Sequence, residues 1–286
     1  MMKQLHKKTN IKISVISTVY NGTPYFERFI SSILGQNYEQ FELVIVDDGS
    51  TDSTPNLLQK LAQESNRVKV FLPGRLGRAK ALNYAVEKAQ GIYIANQDFD
   101  DISYPERLRL QADFLDAHPQ VGLVGGSYVR IDEERQEKYI RTPPQSHPQL
   151  IKKMAQCVPF AHTITTFRKE AWEQAGGYPL TENLIDLRFW LELVKCGWQV
   201  ASIPDIVGEH FVHPASFWHR NFQYRQRQRD LAQVQWQVVK KLHLPFWYGA
   251  YPLSRYAYSY LPNDLKRFVR RNLLGMKEKD IVQGAN

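Results

Sequence analysis

IKISVISTVYNGTPYFERFISSILGQNYEQFELVIVDDGS, residues 11 to 50, decides the fold. Its first ten residues form an apolar run that reads as a buried strand. YFERFISSIL follows with a helical period that places Phe26, Phe29, Ile30 and Ile33 on one face. FELVIVDD is a second apolar strand. Outward from there, STPNLLQKLAQ predicts a second helix capped by Ser50 or Asp52. RVKVFL is a third strand, AKALNYAVEKA a third helix and GIYIANQD a fourth strand. Regular alternation with apolar strands predicts a parallel sheet covered on both faces. Such sheets bind ligands at the carboxyl ends of their strands. The polar clusters Thr18 to Asn21, Asp47 to Ser50 and Asp98 to Asp101 fall there.

After Pro105 the pattern gives a helix, ERLRLQADFLDAH, and a short strand, VGLVGG, before losing regularity over residues 127 to 215. That irregular part reads as mixed sheet and loops. From Ser216 the chain reads as a long polar-basic helix, then LPFWYGAYPLSRYAYSYLP, then a short basic helix. The expected organisation is α/β. Residues 1–215 form one domain, with a ligand-binding half near 11–101 and a second half near 102–215, and residues 216–286 form a helical extension.

With 286 residues, 43% of them hydrophobic, the chain is long enough to bury a sizeable core. Cys157 and Cys196 stand far apart and lack metal-ligand spacing, which argues against a disulfide scaffold or zinc site and fits a reducing cytoplasm. MMKQLHKKTN is polar and basic and reads as no signal peptide. No uncharged apolar run reaches the ~18 residues that span a bilayer. The net charge of +8 is concentrated: residues 218 to 286 hold 13 Lys and Arg against 4 Asp and Glu. The rest of the chain is close to neutral and offers no basic groove for nucleic acid.

Asp98, Asp100 and Asp101 follow an apolar strand directly, and like charges gathered there need a cation. Mg²⁺ or Mn²⁺ would take one or two of these carboxylates and complete its shell with phosphate and water. The plain alternative is a solvated acidic turn ahead of the Pro105 helix. An EF-hand fails, because Ile102 stands where an oxygen ligand belongs and Ser103 where the turn needs glycine. A phosphohydrolase with Asp98 as nucleophile stays open as an alternative, although Ser103 lies one residue too far along for the haloacid dehalogenase pattern. At VIVDDGSTDST a strand-end carboxylate can accept an imide N–H such as that of uracil or thymine. No P-loop and no GxGxxG follow the first strand.

Taken in order, VISTVYNGTPYFERFISSILGQNYEQFELVIVDDGSTDST, GRAKALNYAVEKAQGIYIANQDFDD and ISYPERLRLQADFLDAHPQVGLVGG resemble the family 2 glycosyltransferases of the GT-A fold, over roughly residues 11 to 215. The resemblance implies a nucleotide-sugar-binding half joined to an acceptor-binding half, and metal-assisted glycosyl transfer with inversion, with a UDP-sugar as the expected donor. Matched residue by residue, Asp48 is the base-contacting aspartate, and Thr18, Tyr20 and Asn21 lie in the first-strand loop beside the nucleotide. Asp98 and Asp100 are the Asp-x-Asp, with Asp100 as direct metal ligand. ENLIDLRFWLELVKCGW aligns with the helix carrying the catalytic base, which places Asp186 on the base. Ile185 replaces the glutamate usual before it, and Glu182 is the substitute candidate. If Ile185 marks a lost base, the chain is instead an inactive glycan- or nucleotide-binding module. Phe99 also departs from the family, where a small residue is commoner, and is expected to narrow the pocket.

In GEHFVHPASFWHR, His213 matches a histidine near the metal and diphosphate, and His210 falls where arginine is common. Gly177 and Tyr178 are expected to shape a loop below the acceptor, and His162 to be structural. The expected partners are a nucleotide-sugar and a glycan or lipid-linked acceptor. Trp236, Phe246, Trp247, Tyr248, Tyr251, Tyr256, Tyr258 and Tyr260, with the amphipathic basic DLKRFVRRNLLG, predict a C-terminal extension lying on an anionic membrane face.

Overall fold

The structure is a computed structural model that describes residues 11–134, 136–181, 183–213, 223–262 and 265–266. The opening alternation folds as expected. Strands β1 (Ile13–Val19), β2 (Phe41–Asp47), β3 (Val68–Phe71) and β4 (Tyr93–Asn96) are separated by helices α1 (Phe26–Leu34), α2 (Thr54–Glu64) and α3 (Arg78–Lys88). β2 is buried along its whole length, and α1 buries Phe26, Phe29, Ile30 and Ile33, the face its period marks. β1 pairs in parallel with β2 and β4, and β2 with β3.

The second half is mixed. It contains β5 (Ile102–Ser103), α4 (Arg107–Ala117), β6 (Val121–Asp132), β7 (Glu137–Arg141), α5 (His147–Met154) and β8 (Thr166–Arg168). α6 (Lys169–Gln174), α7 (Ile185–Lys195) and β9 (Gln199–Val212) complete it. The sheet runs β3-β2-β1-β4-β8-β6-β9-β5, with β7 paired to β6. β8 joins the halves, antiparallel to both β4 and β6. β6 and β9 run parallel through register shifts, which is why their segment shows no single sequence period.

Ser50 does not cap α2. Its hydroxyl instead accepts the Asn21 N–H at 2.8 Å, while Asp52 accepts the Thr54 N–H at 3.0 Å at the start of that helix.

The described residues form two compact units, one running to Leu150 and resuming at Val158–His213, the other combining Ile151–Cys157 with the residues after 213. The second unit is built on α8 (Tyr224–Lys241) and α9 (Ala250–Tyr260). Arg255 explains why it takes in a piece from mid-chain: its guanidinium donates to Gln235 and Gln228 of α8 and to the Gln156 carbonyl. Most of the basic helix expected at DLKRFVRRNLLG lies outside the described residues, as does Glu182.

Candidate active site

At the ends of β1 and β2 the loops are held mainly by backbone groups. Asn21 adopts φ 56°, which asparagine tolerates, and its side-chain oxygen accepts the Thr51 N–H at 2.8 Å. Gly22 N–H donates to Thr54 Oγ1 at 2.8 Å. Asp48 is buried, and its Oδ1 accepts the N–H groups of Leu76 at 2.6 Å and Gly77 at 2.9 Å. Arg75 lies 3.4 Å from the other Asp48 oxygen, and its guanidinium sits 4.2 Å from the centre of the exposed Tyr20 ring. Thr18 is half-buried at the end of β1. The expected nucleotide residues therefore share one edge of the sheet, with Arg75 as an unforeseen member.

At the end of β4 the carboxylates are held differently, each with its own side-chain partner. Asp98 pairs with Arg78 at 2.8 Å, Asp100 with His213 at 3.0 Å, and Asp101 with His210 at 3.1 Å. Glycine makes the histidine contacts attainable. β5 pairs with β9 at Ser103↔Gly208, where a Cβ on Gly208 would come within 2.3 Å of the Ile102 carbonyl oxygen. That close approach lays His210, Phe211 and His213 along the acidic stretch. Burial pushes the Asp98 carboxyl up, but the charge of Arg78 outweighs it and leaves the group below its usual range. Asp101 goes the other way: burial, with Asp100 and Asp98 adding to it, raises the carboxyl to about 6. The Asp100 hydrogen bond raises the His213 imidazole against burial.

Beneath the stretch lies Arg107, fully buried, donating to Gln111, Gln97, Ser103 and the carbonyls of Asn96 and Thr165. These contacts use all five guanidinium donors on neutral acceptors. Burial lowers its pKa to about 9, so it stays charged at neutral pH. Sequence reasoning missed both Arg78 and Arg107, although a signal was present. Each is the first residue of its helix, where the macrodipole disfavours a cation unless an anion faces it.

Phe99 does not narrow a pocket. It is buried, stacked on Phe29 with ring centres 4.2 Å apart and tilted against Phe26 at 6.4 Å. Residues 98–101 close as a turn, with the Asp101 N–H donating to the Asp98 carbonyl at 3.2 Å, and this turn leaves Asp98 and Asp100 half-buried while Phe99 enters the core. The same end of α1 braces the outward groups. Arg28 donates to the Asp100 carbonyl and lies 3.9 Å from the Phe211 ring centre, and Tyr25 lies 5.6 Å from the His213 ring.

On the second-half side, Asn83 of α3 bonds both the N–H and the carbonyl of Tyr178, at 2.8 and 2.9 Å. Gly177 has φ 80°, and a Cβ there would meet Asn83 Oδ1 at 3.0 Å. The Tyr178 hydroxyl contacts His162 Nε2 at 3.0 Å, and His162 Nδ1 contacts Asn96 at 3.1 Å, so His162 is a buried link in the frame. Thr163 Oγ1 accepts the Asp98 N–H at 3.0 Å. Asp186 lies in the first turn of α7, where its carboxylate accepts the Leu187 N–H at 2.8 Å. Its charge acts on Arg78, His162 and Tyr178, and Arg78 feels Asp98, Asp100 and Asp186 together.

Asp100 and His213 fit a divalent cation. A carboxylate beside an imidazole suits Mn²⁺ or Mg²⁺ when phosphate and water supply the remaining positions. Among the described residues no group of three or more His, Cys, Asp or Glu converges on one point, and Asp98 is engaged by Arg78.

The sequence model described as "Glycosyl transferase family 2" matches residues 14–175. "Putative glycosyltransferase EpsE" of Bacillus subtilis (strain 168) is 30% identical over 276 residues, covering 93% of this chain and 96% of that protein. The amylovoran biosynthesis glycosyltransferase AmsE of Erwinia amylovora is 31% identical over 198 residues, covering 68% and 74%. In fold, the chain is similar to S. aureus TarS 1–349 in complex with UDP-GlcNAc, at TM-score 0.64, 20% identity and coverage of 96% and 82%. It is equally similar to the mannosyltransferase PcManGT from Pyrobaculum calidifontis in complex with GDP-Man and Mn²⁺, at TM-score 0.64, 19% identity and coverage of 96% and 85%.

Proposed function

The chain belongs to glycosyl transferase family 2, and from that premise we propose that it is a metal-dependent, inverting enzyme using a UDP-sugar donor. One observation carries the reading. Asp100 and His213, separated by more than a hundred residues in sequence, meet at 3.0 Å, and the charges of Asp98, Asp100 and Asp186 all act on the neighbouring Arg78.

In this reading residues 11–101 hold the nucleotide. Thr18, Tyr20 and Asn21 line it, and Asp48 offers its remaining oxygen to the imide of uracil. Asp100 and His213 would hold the Mg²⁺ or Mn²⁺, with Asp98 alongside. When bound, the metal supplies positive charge against the diphosphate leaving group. Arg78 can add a forked donor to the same oxygens, because a guanidinium matches phosphate as well as it matches the Asp98 carboxylate. Asp186 removes the proton from the acceptor hydroxyl as that oxygen attacks the anomeric carbon from the face opposite the diphosphate. Residues 102–215 present the acceptor, a glycan or lipid-linked glycan of a polysaccharide pathway, with Gly177 and Tyr178 shaping the floor. The enzyme works in the cytoplasm, peripheral to the inner face of the membrane, and no described helix is long and apolar enough to cross one.

The test is a calorimetric titration of UDP with and without Mn²⁺, followed by turnover with a panel of nucleotide-sugars. Nucleotide binding that Mn²⁺ strengthens supports the reading. Binding indifferent to metal overturns the metal assignment, and preference for a GDP-sugar overturns the donor assignment.

A further inference from the structure

We propose that the C-terminal unit docks on an anionic bilayer through a folded ridge along the turn Phe246–Gly249 and α9, and does not depend on its basic terminal segment alone. Resting on the reading above that the acceptor is membrane-borne, the ridge specifies which surface meets the lipid.

Phe246 is 87% exposed, Trp247 60% and Leu253 59%, although all are large apolar side chains. On α9, Leu253, Tyr256 and Tyr260 recur at three- and four-residue spacing on one face, and all are exposed. Pro252 and Ser259, about a quarter-turn round the helix from them, are its buried positions. The outward face is therefore the apolar one, the reverse of an ordinary surface helix. Arg255 makes this orientation deliberate, since its three contacts to Gln228, Gln235 and the Gln156 carbonyl fix the roll of α9 within its unit.

Charge identifies the occupant. The charges of Arg229 and Arg225 act on the Tyr260 hydroxyl. Lys240 sits 5.6 Å from the Trp236 ring centre. Residues 223–262 hold six Lys and Arg and one acid, Asp230. Rings with an apolar body and a polar tip, bordered by cations, match the headgroup layer of an anionic membrane, where the body reaches acyl chains and the cations reach phosphates. A second copy of this chain fits less well, because outside residues 218–286 its charge is near balance and supplies no acidic counterpart.

The experiment is co-sedimentation of the full chain with vesicles of phosphatidylglycerol and phosphatidylcholine, and with phosphatidylcholine alone. The wild type should sediment with the anionic vesicles and lose this on adding salt. F246S combined with W247S should weaken that binding roughly tenfold or more, because these rings carry the apolar insertion. Both side chains are exposed, so melting temperature and UDP binding should not change. Leu253→Glu, on the neighbouring helix, provides a second disruption of the ridge and should act in the same direction. Wild-type sedimentation by both variants would overturn the proposal in favour of the basic terminal segment alone. Absence of vesicle binding by the wild type would overturn it outright. A drop in oligomeric mass in the variants without any vesicle binding would assign the ridge to self-association. None of these outcomes depends on sugar transfer, so they separate this proposal from the donor reading.

Discussion

Two sets of aspartates line the same edge of the sheet, and they are held in opposite ways. Around β2, Asp47, Asp48 and Asp52 accept backbone N–H groups of Ser50, Leu76, Gly77 and Thr54. After β4, Asp98 and Asp100 are held by the side chains of Arg78 and His213, while Asp101 is held both by the His210 ring and by the Phe211 N–H at 2.7 Å. Backbone donors cannot leave without unfolding a loop, so the first set builds a fixed frame. Side-chain partners can rotate away, so Asp98 and Asp100 can exchange theirs for a metal, and Arg78 can exchange its carboxylate for a phosphate. Removing a frame carboxylate should therefore cost stability, and removing an exchangeable one should cost function.

The sharpest way to break this contrast is Asp100→Asn. It should abolish metal-dependent transfer, a loss of ~3 kcal/mol or more in transition-state stabilisation, with an unchanged thermal melt in EDTA. Near-normal turnover by the folded variant would remove Asp100 from the exchangeable set. Asp186→Asn comes next. UDP and Mn²⁺ should bind as in the wild type while single-turnover transfer slows at least ~100-fold, the scale for loss of a general base. If Glu182→Gln shows that behaviour and Asp186→Asn does not, the base lies at Glu182.

Arg28→Met tests the brace behind Asp100 and His213. Mn²⁺ affinity, read by electron paramagnetic resonance, should fall roughly 10-fold, as for outer partners of a metal site, with metal-free UDP binding intact. Equal losses in both would mean that the helix merely supports the fold. The smallest effect is expected at the frame. Burial tends to raise the Asp52 carboxyl, but hydrogen bonds from Thr54 and Thr23 hold it at about 2. Its folded pKa lies below the unfolded value, so its contribution is complete above ~4 and is lost as pH falls toward 2. Asp52→Ala should lower stability by ~1 kcal/mol at pH 7 in urea melts, and the difference should shrink toward pH 2 without altering kcat. A constant difference across that range would mean that the carboxylate charge is not what holds the turn.

The frame was largely legible in the sequence. Each strand of the parallel half is a short apolar run, and each helix shows its own period, so the carboxyl ends could be located before any coordinates. Asp100 and His213 were placed through the family resemblance, and the structure brings them together. Less legible was whatever depends on distant register. Arg78 and Arg107 look like ordinary surface cations until the acids facing them are known. Phe99 was expected to narrow the pocket because a small residue is commoner between the two aspartates, yet the turn at residues 98–101 sends it to Phe29. The long pairing of β6 with β9 shifts register more than once, so no fixed period could announce it.

Arg107 also has a kinetic meaning. Its five donors draw on acceptors spread from Asn96 to Thr165, including the carbonyl just before β8. A guanidinium cannot leave water until such acceptors are assembled, because a half-satisfied buried cation is costly. In a refolding chain the acidic loop should therefore close only as β8 docks against β4, a contact of high sequence separation and hence slow to form. Amide protons of the loop and of the β4–β8 seam should then exchange together, as one cooperative unit.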